Sequence, residues 1–136
     1  MSYTMSAALQ SAIYDVLVSD PALSTLIGGS VFDAMPTGQV PEVYVSIGDE
    51  RVRDASDQTG MGAVHRLDVA VRTSLPGFAK AKRVAGAVCD ALHDAPLTLA
   101  RGHLVYLRFD RADARRINGN ATREILLRFN ARVDDQ

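Results

Sequence analysis

From Arg123 to Val133 the chain sets Ile125, Leu127, Phe129, Ala131 and Val133 in alternation with Leu126, Arg128, Asn130 and Arg132. Successive side chains of a strand point to opposite faces, so this period of two demands a strand with one face on a core and the other facing water or a partner. The same pattern recurs upstream. Val43, Val45 and Ile47 alternate with Tyr44, Ser46 and Gly48, and in the stretch from Val64 to Arg72 Leu67, Val69 and Val71 oppose Arg66, Asp68, Ala70 and Arg72. Asn118-Gly119-Asn120 tolerates the positive backbone angles of a tight reversal. The last strand therefore pairs, as a terminal hairpin, with a strand from about His103 to Ala112.

Helical spacing appears between these segments. From Met5 to Ser19, the residues Leu9, Ala12, Ile13, Val16 and Leu17 recur at intervals of three and four and fall on one stripe of a helix. Asp20-Pro21 reads as an N-cap followed by proline at the first helical position, opening a short helix that carries Leu23, Leu26 and Ile27 and stops at Gly28-Gly29. Val31 to Asp33 is a brief extended piece, and Met35-Pro36 through Pro41 is a connector. After a turn at Ser74 to Gly77, Ala81, Ala85, Val88 and Leu92 define an alanine-rich stripe on a helix from about Phe78 to His93. Small residues let such a helix lie close to a sheet. A short strand is expected at Leu97 to Leu99, ahead of an Arg101-Gly102 turn. The class implied is α+β, a mainly antiparallel sheet with helices packed on one face. With 136 residues, 47% of them hydrophobic and 23% charged, the chain suits a single domain spanning 1–136.

Little in the residues suggests catalysis. A formal net charge of -1 supplies no global attraction to nucleic acid or to a membrane. Cys89 has no second cysteine to pair with, reads as a small buried hydrophobe, and is consistent with a reducing cytoplasm. The amino terminus lacks the basic start and apolar block of an export signal, and no apolar run approaches membrane-spanning length. Of the histidines His65, His93 and His103, only His93 has a suggestive neighbour, Cys89 four residues away, and two ligands do not make a metal site. No Gly-x-Ser-x-Gly elbow, Walker lysine or dinucleotide glycine spacing occurs. The expectation is no catalytic residue, no cofactor and no metal. A competing class is a small enzyme or ligand-binding domain using His65 or His103 with nearby acids.

Arginine stands out instead. It makes up 13 of the 15 basic residues, and Arg108, Arg111, Arg115, Arg116, Arg123, Arg128 and Arg132 all fall in the terminal hairpin. The planar guanidinium binds carboxylates bidentately and is weakly hydrated, which suits an interface as well as a solvated strand face. Near-neutral overall charge argues against tight DNA binding, which relies on counterion release by surplus cations. Acidic partners exist in the same chain, among them Asp49, Glu50, Asp54, Asp57, Asp110, Asp113 and Glu124. The segment from Arg51 to Gly62 is read as a polar loop, longer than a tight hairpin needs, and such loops are either mobile or ordered by a partner.

Taken in order, several segments resemble one family. They are Asp20-Pro-Ala-Leu23, Ile27-Gly-Gly-Ser-Val-Phe-Asp33, Pro41-Glu-Val-Tyr-Val-Ser-Ile-Gly48, His65-Arg-Leu-Asp-Val-Ala-Val71, Gly77-Phe-Ala-Lys-Ala-Lys82, Asp94-Ala-Pro-Leu-Thr-Leu99 and the closing hairpin. From about Leu9 to Val133 the chain resembles the tail-completion or tail-terminator proteins of long-tailed phages, prophages and gene transfer agents. That resemblance implies a structural, non-enzymatic subunit that forms a ring, usually a hexamer, on the last ring of tail-tube protein. It implies docking to a head-tail connector or stopper protein and double-stranded DNA passing through the lumen without being read. A connector-side stopper or other head-tail joining protein is the alternative. Assembly in the bacterial cytoplasm, residence at the neck-tail junction of a phage-like particle and no membrane partner follow from it. By the same analogy, Arg51, Arg53, Asp54 and Asp57 are expected at the lumen or the adjoining ring, and Arg108, Arg111, Arg128 and Arg132 at neighbouring subunits.

Overall fold

The computed structural model describes residues 3–35, 37–58 and 60–135. Met1 and Ser2 of the amino terminus, Pro36 of the connector and Thr59 of the polar segment lie outside the described residues, as does Gln136. Within them the chain forms α1 (Ser6–Ser19), α2 (Pro21–Ile27), β1 (Val31–Phe32), β2 (Val43–Asp54), β3 (Gly62–Thr73), α3 (Ala79–Leu92), β4 (His103–Ile117) and β5 (Thr122–Asp134). The strands make one sheet in the order β1-β2-β3-β5-β4. Only the short β1 runs parallel to its neighbour; the pairs β2–β3, β3–β5 and β4–β5 are antiparallel. This is the α+β arrangement that the patterning implies.

The helices lie on one face of the sheet. α1 buries Leu9, Ile13 and Leu17, and α3 buries Ala81, Val84, Ala85, Val88 and Leu92, each at helical spacing. α2 begins where the Asp20 carboxylate accepts the Leu23 amide at 3.1 Å, with Pro21 at the first position, and it ends at Gly28, whose φ of 62° is open to glycine. A cap of this kind stabilises a helix by about 1 kcal/mol. From the sheet, Val69 and Val71 of β3 and Ile125, Leu127, Phe129, Ala131 and Val133 of β5 reach the same core. Phe129 is fully buried and meets Phe109 of β4 edge to face, with ring centroids 5.9 Å apart. Burying a side chain of this size stabilises by about 1.5–3 kcal/mol.

Three expectations are corrected. The segment from Arg51 to Gly62 is a loop only in its middle: β2 continues through Asp54 and β3 begins at Gly62, which leaves 55–61 as the connection. A bulge between Ile47 and Glu50 takes Gly48 and Asp49 out of the ladder and shifts the phase of the alternation. Beyond it Arg51, Val52 and Arg53 pair with Arg66, His65 and Val64. The tip is held by its own hydrogen bonds, from Ala55 N to Gly62 O at 2.8 Å and from Gly60 N to the Asp57 carboxylate at 3.0 Å. Leu97 to Leu99 forms no strand; Leu97 and Leu99 pack against the core as anchors and have no ladder partner. The hairpin strands also run further than expected, β4 reaching Ile117, because bulges at 104–106 and 109–111 interrupt its alternation without ending its pairing. Asn118, Gly119 and Asn120 make the turn between them with φ of 52°, 61° and 73°.

Candidate functional site

The face of the sheet opposite the helices carries arginine on every long strand. Register places Arg51 beside Arg66, and then Asn130 and Arg108, in one row across β2, β3, β5 and β4. A second row contains Asp68, Arg128 and Arg111, a third Arg72, Glu124 and Arg115, and Arg53 and Arg132 flank Val64 in a fourth. These are nine arginines and no lysine, sharing the face with Asp68, Asp113, Glu124 and Asp134; both lysines of the chain, Lys80 and Lys82, belong to α3.

The arginines divide by whether their charge is already met. Arg128 Nε donates to Asp68 at 3.1 Å, Arg132 Nε to Asp134 at 3.1 Å, and Arg111 Nη2 to Asp113 at 3.2 Å. Arg132 also donates to the Ala55 carbonyl at 3.0 Å, which ties β5 to the hairpin tip. Glu124, only 3% exposed, accepts from Arg72 Nε at 2.8 Å and Arg115 Nε at 3.0 Å, so a nearly buried carboxylate has a guanidinium on either side. The Arg108 guanidinium lies 4.5 Å from the centre of the Tyr106 ring. The side chains of Arg51, Arg53 and Arg66 have no ion pair or hydrogen bond among the described residues, and Arg51 stands directly opposite Arg66. Like charges placed so repel, and a carboxylate or phosphate from outside relieves that repulsion.

Of the eight residues singled out by sequence, the structure thus brings Arg51, Arg53, Arg108, Arg111, Arg128 and Arg132 onto one face. Asp54 and Asp57 sit at the end of the β2–β3 hairpin, where Asp54 accepts the Ser56 hydroxyl at 2.8 Å and Asp57 the Gly60 amide. Arg116 and Arg123, from the same hairpin, lie on the helix side, each 5.8 Å from the Phe78 ring centre.

Two of the three histidines, His65 and His93, have structural partners. His65 is fully buried, and its Nδ1 lies 3.0 Å from Glu50, which also accepts the Ser6 hydroxyl at 2.7 Å. Burial acts to raise the Glu50 carboxyl, but hydrogen bonds from His65, Ser6 and Tyr3 outweigh it and hold its pKa below the usual 4.5. Here the carboxylate sits between serine and imidazole, whereas a nucleophilic serine needs the imidazole between itself and the acid. His93 ends α3 and its Nδ1 accepts the Phe109 amide at 3.0 Å, fastening the helix to β4. No group of three metal-ligating side chains gathers among the described residues.

Charge segregation along the chain is a signal that residue-by-residue reading passes over. The first fifty residues contain six carboxylates and no lysine or arginine, so all 15 basic residues follow Glu50. In the fold this makes the edge built from α1, α2 and β1 acidic and gives every cation to the remainder.

Residues 11–134 match the protein family described as tail completion protein gp17. Among solved structures, the chain is similar to one described as "Virion of native gene transfer agent (GTA) particle". The two share 50% sequence identity and a TM-score of 0.94, over 97% of this chain and 98% of that one. No curated protein sequence matches the chain. The family match runs from within α1 to the end of β5 and so takes in the whole sheet with its arginine face; the chain belongs to the tail completion protein gp17 family.

Proposed function

We propose that this phage tail structural protein is a tail terminator: copies form a ring, a hexamer, on the head-proximal end of the tail tube, end its polymerisation and join it to the head connector or stopper protein. The observation that carries this reading is the near-complete likeness, at half identity, to a chain from a gene transfer agent virion, together with membership of a tail completion family. The arginine face supports it physically. A face of nine arginines has more cations than the carboxylates paired with them, and an assembly of acidic and basic surfaces satisfies the remainder.

In this reading Arg108, Arg111, Arg128 and Arg132 border neighbouring subunits. Arg51 and Arg53, with Asp54 and Asp57 at the hairpin tip, reach the lumen or the adjoining ring. Double-stranded DNA passes through the lumen with no base read, and a formal net charge of -1 leaves the subunit without the surplus of cations that tight phosphate binding needs. Subunits are made in the bacterial cytoplasm and end at the neck-tail junction of the particle. Deleting the protein and imaging the products tests this: tails of uncontrolled length and heads without tails are expected. Complete particles in its absence would overturn the reading, and cross-links to the head adaptor in place of tail-tube protein would favour a stopper.

A further inference from the structure

The helix layer stops short of β4. Phe109 is 40% exposed on the helix side of that strand, and together with Ala112 and Ala114 it forms one wall of a groove whose other wall is Ala85, Gly86 and Cys89 of α3. The groove, of about 270 Å³, is apolar along its length and runs beside the free edge of the sheet. One end is cationic. Lys82 lines the groove there and lies 5.8 Å from the Phe78 ring centre, and the Arg116 and Arg123 guanidiniums approach the same ring to 5.8 Å. Among the described residues none of the three cations has a carboxylate within ion-pair distance, and the buried Arg123 Nε has no hydrogen-bond partner. An apolar trough ending in unpaired cations fits a segment in which a large apolar side chain stands next to a carboxylate.

The chain carries such a segment at the opposite edge of its sheet. Between β1 and β2, Met35 and Val40 are 43% and 45% exposed, and Asp33 and Glu42 flank them. No lysine or arginine lies within the acidic first fifty residues to which this connector belongs.

We propose that the groove between α3 and β4 is the docking site for the β1–β2 connector of a second copy of this chain. Val40 and Met35 fill the apolar trough, and Glu42 and Asp33 meet Lys82, Arg116 and Arg123. Because groove and connector lie at opposite edges of one sheet, the contact is head-to-tail, and repetition of it closes a ring when the rotation per subunit permits. The inference rests on the ring reading above and supplies its interface.

Charge reversal on the intact chain tests it. Lys82→Glu with Arg116→Glu gives a copy acidic at both ends, and Asp33→Lys with Glu42→Lys gives one basic at both ends. Each alone should lose ~10-fold or more in self-association by native mass spectrometry, whereas an equimolar mixture should recover it by alternation. Cys89 provides a second readout as the single natural cysteine. With Val40→Cys, a short bismaleimide should join residues 40 and 89 and yield a ladder extending past the dimer, lost in the Cys89→Ala background. Burial and the Asp90 charge push the Cys89 thiol up, so the reaction is run at mildly alkaline pH. Wild-type rings with no 40–89 linkage and no effect of reversal would overturn this docking and leave the ring intact. Cross-linking of Cys89 to another virion protein in particles would also overturn it. A chain that never self-associates, alone or on tubes, would take both readings down.

Discussion

The two faces of the central strands come from the same residues taken alternately, yet they obey different physics. On the helix side of β5, Ile125 to Val133 are dry and closely packed, with Phe129 at 0% exposure. One residue away in phase, Glu124, Arg128 and Arg132 meet Arg72, Asp68 and Asp134 in pairs that water still reaches in part. The dry face gains from area removed from water and has little tolerance for lost volume. The arginine face gains little per pair, because partly solvated ion pairs contribute about 0–1 kcal/mol each. Stability therefore resides on one face, and the surplus charge available to a partner on the other.

The sharpest way to break this contrast is Phe129→Ala. Removing a fully buried ring that supports Phe109 should cost about 3–5 kcal/mol in chemical denaturation. A loss below about 1 kcal/mol would mean that the helix-covered face is not the principal source of stability.

Glu50→Gln examines a carboxylate on the dry side. It weakens the acceptor for a buried His65 and for Ser6, at an expected cost of about 1–2 kcal/mol near neutral pH. Folding lowers the Glu50 pKa below 4.5, so the unfolded chain takes up the proton first as the medium is acidified. The contribution is complete above that unfolded value and disappears as pH falls through the folded one. Melting curves across this range should show wild type and variant converging toward acid; a constant gap would assign the effect to packing.

The smallest expected change in stability comes from the free cations. Replacing Arg51, Arg53 and Arg66 together by serine should leave unfolding within about 0.5 kcal/mol of wild type, since none has a partner to lose. The same variant should assemble less well in sedimentation. If it unfolds as readily as Phe129→Ala, these arginines belong to the fold and are not reserved for a partner.

How much of this could be read from sequence depended on whether the alternation stayed in phase. β5 keeps a strict period of two over its length, so its buried set was legible residue by residue, as were the α1 stripe and the Asp20-Pro21 cap. β2 and β4 contain bulges, and each bulge inverts the pattern beyond it. The stretch of β2 from Arg51 to Asp54 therefore reads as loop in sequence, and the far end of β4 lies beyond the alternation that marks its start. Leu97 and Leu99 show the converse: alternation marks burial there, but the segment packs against the core and joins no ladder. For the candidate site, the hairpin arginines were legible by type. Their division into satisfied and free was not, because it depends on which carboxylate the register sets opposite. Alternation alone sets Arg66 on the outer face, but its significance comes from Arg51 across the strand pair, which only the register reveals.

A surface that is cationic through arginine alone has a practical corollary. Acylating reagents and formaldehyde react with primary amines, and along the side chains only Lys80 and Lys82 offer one, both near the start of α3. Amine footprinting of an assembled particle would thus ignore the sheet and report on that one helical turn, where loss of Lys82 labelling on assembly registers the covering of a single spot.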